Sequence, residues 1–127
     1  MSGELETLAR KFFGAYGEGD LQTVRDLLAD DVTSYVTNAE GGVDRVEGAE
    51  AYMARLPDTA GVDLSTRITQ VVAIDDERVM TMVEIEAERD EARLHNFAAF
   101  LARVSAGRFA ELWMVEAEPA HSDGFWS

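Results

Sequence analysis

Leu94-His95-Asn96-Phe97-Ala98-Ala99-Phe100-Leu101-Ala102-Arg103-Val104-Ser105-Ala106-Gly107-Arg108-Phe109-Ala110-Glu111-Leu112-Trp113-Met114-Val115-Glu116 is the stretch whose reading decides the fold. It is two long apolar runs, residues 93–104 and 108–118, joined by a connection short enough for a hairpin. A two-residue turn at Ala106-Gly107 pairs Ser105 with Arg108. In an unbroken ladder that register gives one face His95, Phe97, Ala99 and Leu101 with Leu112, Met114, Glu116 and Glu118. The other face receives Asn96, Ala98, Phe100 and Ala102 with Glu111, Trp113, Val115 and Ala117. A one-residue bulge would exchange some of these assignments, because side chains alternate between faces. Both faces are substantially apolar, so the sheet needs two covers.

Upstream, residues 64–74 and 78–88 read as two more strands, separated from each other and from the next by Asp75-Asp76-Glu77 and Asp90-Glu91. Antiparallel pairing is the simplest assembly. The first half of the chain reads differently. Leu5, Leu8, Phe12 and Tyr16 recur at helical spacing, widened by Ala9 and Phe13, and Gly17-Glu18-Gly19 ends the run. Asp20 is placed to cap a second helix that turns Val24, Leu27 and Leu28 inward and closes at Asp30-Asp31. Residues 32–37 are β-branched and aromatic, a first strand followed by a turn at 38–42. Residues 48–56 read as a short third helix with Tyr52 and Met53 on one side and Pro57 as its stop. Three helices first and a sheet after them make an α+β arrangement, expected as a single domain over residues 1–127.

Bulk properties narrow the function. The chain has 127 residues, 46% of them apolar, which suffices for an ordinary core. It contains no cysteine, which removes disulfides and thiolate chemistry. A formal net charge of −14 argues against nucleic acid and against an anionic membrane surface. No signal segment and no apolar run of membrane length are visible, so a cytoplasmic protein is expected.

Three stretches together resemble a known family. They are Gly19-Asp20 leading through Leu21 to Leu27-Leu28-Ala29-Asp30-Asp31-Val32, the turn glycine Gly107, and Phe109-Ala110-Glu111-Leu112-Trp113. The chain is similar over nearly its whole length to the nuclear transport factor two-like superfamily, in its SnoaL-like (polyketide cyclase and ketosteroid isomerase-like) branch. The resemblance implies a cone-shaped α+β barrel of three N-terminal helices on a curved antiparallel sheet, usually a homodimer. Its isomerase members carry a tyrosine where Phe12 stands, an aspartate near Val36 and an acid at Ala99. Its cyclase members commonly carry an aspartate where Met114 follows Trp113. With those groups replaced, neither chemistry transfers.

The resemblance favours the His95 face as an apolar pocket, expected to be lined by Phe12, Tyr16, Tyr35, Tyr52, Met53, Phe97, Leu112 and Met114. The unbroken register sets His95 opposite Glu118 and diagonal to Glu116, an arrangement suited to proton transfer near neutral pH. The alternative is a rim histidine beside solvated glutamates. Glu111 stands on an apolar face and needs a partner, Arg103 or an arginine across an interface. His121-Ser122-Asp123 cannot form a catalytic relay, since successive residues do not place the imidazole between the other two. Phe125 and Trp126 are expected to cover an apolar edge or the pocket mouth. With two histidines and no ligand spacing, no metal or organic cofactor is expected.

Two functions compete for the pocket: binding of a hydrophobic small molecule, or acid/base chemistry on it. A dimeric interaction module without ligand is the third. A homodimer through the outer face is expected, with Phe100, Trp113 and Val115 near its centre.

Overall fold

The computed structural model of the chain describes residues 2–56 and 62–126. Helix α1 (Ser2–Glu18) and helix α2 (Leu21–Asp26) lead into strand β1 (Leu28–Thr37) and strand β2 (Val43–Glu47). Helix α3 (Ala49–Arg55) follows. Then come strands β3 (Asp63–Ala73), β4 (Arg78–Arg89), β5 (Ala92–Ser105) and β6 (Arg108–Glu116), and a last helix, α4 (Pro119–Trp126). The six strands form one sheet in the order β2-β1-β6-β5-β4-β3. All neighbours are antiparallel except β1 and β6, which run parallel because β1 returns to the sheet beside the last strand.

The four principal strands stand where their patterning places them, and so do α1 and α3. Differences are informative. The second helix stops at Asp26, so Asp30 and Asp31 belong to β1 and do not close a helix. Leu28 is already paired with Phe109, and the Phe109 amide donates to the Leu27 carbonyl at 2.8 Å. Parallel pairing thus wins over helix propensity two turns in. Val43–Glu47 adds a strand that five residues with three charges or polar turns around them did not announce. Helix α4 is a fourth helix where only a covering tail was expected. Pro57 lies outside the described residues.

The core lies between the concave face of the sheet and the helices. Phe12 and Phe109, both essentially sealed from solvent, meet with ring centroids 4.8 Å apart, and Phe13 packs on Phe100 at 4.5 Å. Helix α1 crosses β3 so closely that a Cβ on Gly17 would stand 2.2 Å from the Thr66 hydroxyl oxygen, which is why that position takes glycine. Asp20 caps α2 by accepting from the Thr23 amide.

One irregularity governs the site. The hairpin turn is Ala106-Gly107 as read, with φ of 54° and 76°, and Ser105 pairs with Arg108. Val104 still pairs with Phe109, but Arg103 pairs with Glu111. Ala110 is therefore an extra residue, a β-bulge, and beyond it every partner moves by one. Phe109 and Leu112, three apart, both point into the core. The bulge bends the strand and joins the inner set of β5 (Asn96, Ala98, Phe100, Ala102) to Leu112, Met114 and Glu116.

Candidate functional site

The helices and the sheet leave a cavity of about 340 Å³ between them. Its walls are mostly apolar, as small-molecule sites usually are. The inward stripe of α1 supplies Phe12 and Phe13 and, one turn on, Tyr16; α3 supplies Tyr52 and Arg55; the bulged hairpin supplies Phe100, Met114 and Glu116.

Asn96 is the organising residue. It is fully buried on β5, and its amide uses both lone pairs and both hydrogens. The Phe97 and Glu118 backbone amides donate to its Oδ1 at 2.9 and 3.0 Å. Its Nδ2 donates to Glu116 Oε2 at 3.1 Å and to the Glu118 carbonyl at 3.2 Å. The Glu116 carboxylate is thereby fixed in the cavity wall, and the Glu116 amide donates to Thr37 Oγ1 at 3.1 Å. Burial, and then the nearby Glu116 charge, push the Tyr16 phenol up to about 12. Burial, and then Tyr16, push Tyr52 higher still. Both hydroxyls stay protonated at neutral pH and can donate.

A second polar group stands elsewhere on the wall. Asn38 Oδ1 accepts from the Glu40 and Gly42 amides, which shapes the turn, and its Nδ2 donates to Asp44 Oδ1 at 3.0 Å. Arg55 Nη2 bonds the other Asp44 oxygen at 3.1 Å. The Asn38 hydrogen bond first, and Arg55 with it, hold the Asp44 carboxyl below the ordinary range.

Helix α4 covers the cavity. Ser122 and Trp126 line it, while Phe125 anchors the helix in a small separate cluster with Ala87 and Leu94. The Arg89 guanidinium lies 5.2 Å over the Phe125 ring and bonds the Phe125 carbonyl. The tail aromatics thus act as the sequence suggested.

The expected histidine site does not form. His95 is on the outer face, 56% exposed, with Nε2 2.7 Å from Glu84 Oε2 and 3.8 Å from Glu86. The bulge at Ala110 is the reason: it turns Glu116 to the Asn96 side of the hairpin. Glu118 contributes only its backbone, its side chain being exposed. Of the three proposed catalytic residues, Glu116 alone lines the cavity. Among the expected lining residues, Phe12, Tyr16, Tyr52 and Met114 are there. Phe97 is 49% exposed on the outer face, Tyr35 stacks outside on Trp113 at 3.9 Å, Leu112 is sealed in the core, and Met53 packs against that core. Glu111 has the partner its setting required, Arg103 at 3.0 Å.

Asn96, Phe100, Asp44 and Arg55 are among the lining or organising residues that sequence reasoning missed. For Asn96 a signal existed: it is an amide within an alternating apolar strand. Glu84, Glu86 and His95 form, among the described residues, the one group whose three ligand atoms lie within 4.8 Å of each other. It stands outside the cavity, and Glu84 already bonds Arg67 and His95.

The chain is thus a cone of helices closed on a curved sheet, with a mostly apolar cavity and a carboxylate in its wall. A family profile described as a SnoaL-like domain matches residues 9–112, and the chain belongs to that family. An uncharacterised protein of Mycobacterium tuberculosis is 28% identical over 123 residues, which cover 94% of each chain. Two solved structures share the fold. Bal32a, from a soil-derived mobile gene cassette, is 21% identical with a TM-score of 0.82, covering 99% of this chain and 98% of its own. An LEH-like epoxide hydrolase of M. tuberculosis is 21% identical with a TM-score of 0.76, covering 98% and 90%. Among the described residues no helix is long and apolar enough to cross a membrane.

Proposed function

We propose that this protein binds a compact, mainly apolar small molecule in the cavity, with Glu116 as its polar anchor. The observation that carries the reading is a carboxylate held by a buried amide in the wall of an aromatic cavity that side chains leave open. A polar group placed on an otherwise apolar cavity wall is the usual means of fixing a ligand's orientation. Thermal-shift screening with aromatic and polycyclic compounds tests this. A ligand at a hundredfold excess over its Kd should add about 2.7 kcal/mol of stability. Phe100→Trp, which fills the cavity, should abolish the shift in a folded protein. If no compound stabilises the unmodified chain, the binding reading falls.

A second reading is favoured by the Tyr16 phenol, which feels the Glu116 charge. Glu116 would accept a proton from carbon beside a carbonyl while Tyr16 donates to the carbonyl oxygen, the acid/base chemistry this arrangement supports. The family resemblance to an epoxide hydrolase supports only a cavity for small molecules. Deuterium uptake by bound ketones in heavy water, lost in Glu116→Gln, would establish catalysis.

We propose further that a second copy covers the outer face. Tyr35, Trp113, Leu101, Met80 and Val72 pair in one row across five strands, and Val115, Ala99 and Met82 form the next row. Trp113, Val115, Val72 and Met82 are 41–58% exposed in the single chain, a contiguous apolar surface of the kind monomers seldom leave wet. Phe100, once expected at its centre, faces the cavity and takes no part. Light scattering should give twice the 14.0 kDa chain mass, and Trp113→Glu should give the single chain.

A further inference from the structure

We propose that Glu84, Glu86 and His95 bind one divalent transition-metal ion of the zinc class, on the outer face of the sheet and apart from the cavity. The site is independent of the binding reading above.

The strand ladder builds it. Glu84 and Glu86 are two residues apart on β4, so their side chains leave the same face. His95 on β5 is the register partner of Glu86, and Phe97 is that of Glu84, which sets the imidazole diagonal to the second carboxylate. β4 lies between β3 and β5, so its spacing is fixed on either side. Strands hold ligands more precisely than loops do. The site lies two rows past Met82 and Ala99, beyond the apolar rows assigned to a second copy. His95 and Glu84 are eleven residues apart in the chain, and only the hairpin joins them, which is why histidine spacing alone announced no metal.

The distances suit an ion. His95 Nε2 stands 2.7 Å from Glu84 Oε2 and 3.8 Å from Glu86 Oε1, and one ligand atom from each residue lies within 4.8 Å of the others. Two ligands of one zinc ion, each at about 2.1 Å, stand at most about 4.2 Å apart. A small turn of Glu86 closes that gap, and its side chain, 63% exposed, has room to make it. The proton that now bridges Nε2 and Glu84 Oε2 would give way to the metal. Arg67 supports the arrangement: it bonds Glu84 Oε1 and so leaves Oε2 turned to the imidazole. Phe97 packs beside the His95 ring, with centroids 5.1 Å apart, and steadies it. Glu86 reaches the imidazole only at 3.8 Å, beyond hydrogen-bond range, and a dication between the two carboxylates would relieve their repulsion. A surface hollow opens beside the group, with Glu86 and His95 in its wall, which gives the ion a path in. One imidazole nitrogen with two carboxylate oxygens suits zinc and its neighbours, whereas magnesium and calcium take oxygen ligands.

The test is calorimetric titration of the full chain, free of any histidine tag, with zinc and with magnesium at neutral pH. Proton–nitrogen spectra of the imidazoles accompany it, the chain having two histidines, His95 and His121. Zinc should bind at one equivalent per chain, shift the His95 Nε2 signal and leave His121 in place; magnesium should do neither. His95→Ala and Glu86→Gln should each weaken zinc at least about tenfold, while His121→Ala should change nothing. His95 and Glu86 are both exposed, so the variants should fold. No saturable zinc binding up to about 1 mM, the result expected of an ion-pair group and nothing more, would overturn the proposal. Zinc binding that survives His95→Ala, or magnesium binding as tightly, would also overturn it and leave only the general attraction of cations to a chain of charge −14.

Discussion

His95 and Asn96 are neighbours in sequence and stand on opposite faces of one strand, and the contrast between them separates two kinds of polar order. Inside, Asn96 satisfies all four of its hydrogen-bonding positions with partners that the backbone holds in place. Outside, His95 joins Glu84, Glu86 and Arg67 in a group of charges beside solvent. The outer group has more formal charge and shorter contacts. The inner one has the larger hold on the structure, because Asn96 is sealed from water. Charge density is therefore a poor guide to which polar groups hold this structure together.

The largest test of that contrast is in the apolar layer beneath the inner face. Phe109→Ala removes a sealed ring that packs beside Phe12 and Phe13 and should cost about 3–5 kcal/mol in urea unfolding. Asn96→Ala should cost about 2–3 kcal/mol, since buried groups that bonded the amide lose their partner, and should weaken any ligand that depends on Glu116. His95→Ala, one residue away, should change stability by no more than about 0.5 kcal/mol. A His95 variant as damaging as the Asn96 variant would break the comparison.

The two faces should also respond at opposite ends of the pH scale. Tyr16 is raised above its ordinary value of 10.0 in the folded protein. The unfolded chain therefore loses that proton first. The stability contributed is complete below pH about 10, falls as pH rises toward about 12, and should fall less in Tyr16→Phe. Titration of tyrosinate absorbance would locate the step, and Glu116→Gln should lower it. On the outer face Glu84 is depressed, by its bond to Arg67 first and to His95 second. Its contribution is present above the ordinary glutamate range and is lost as pH falls through the lowered value. That acid-side effect should be the smallest of the set, and salt should weaken it further, because its partners Arg67 and His95 stand largely in solvent.

Much of this architecture is legible in residues. The α1 stripe, the glycine that ends it, and four strands divided by acidic or glycine turns all follow from periodicity and turn chemistry. The turn at Ala106-Gly107 was legible too, and so was the need of Glu111 for an arginine. The site was not. A strand pattern states which residues alternate, but the side on which a run begins depends on every residue counted from the turn. Ala110 spoils that count: alanine is neutral to bulge formation, so nothing at position 110 announces an extra residue. From that one position came the exchange of Asn96 for His95, Phe100 for Phe97, and the placing of Phe100 at an outer interface. Arg55 and Asp44 were missed for another reason. They are eleven residues apart and meet between β2 and α3, a pairing that local reading does not reach.

Helix α4 has a bearing on time as well as on shape. Its anchor, Phe125, sits in a small cluster apart from the main core, and its two ends are held by different residues, Glu118 through Asn96 and Phe125 through Arg89. Eight residues can thus swing or fray without disturbing the layer of Phe12 and Phe109. On the binding reading, how tightly a guest is held is then decided by the walls, and how long it stays is decided by the door. Changes at Arg89 would shorten the visit while leaving the room as it was.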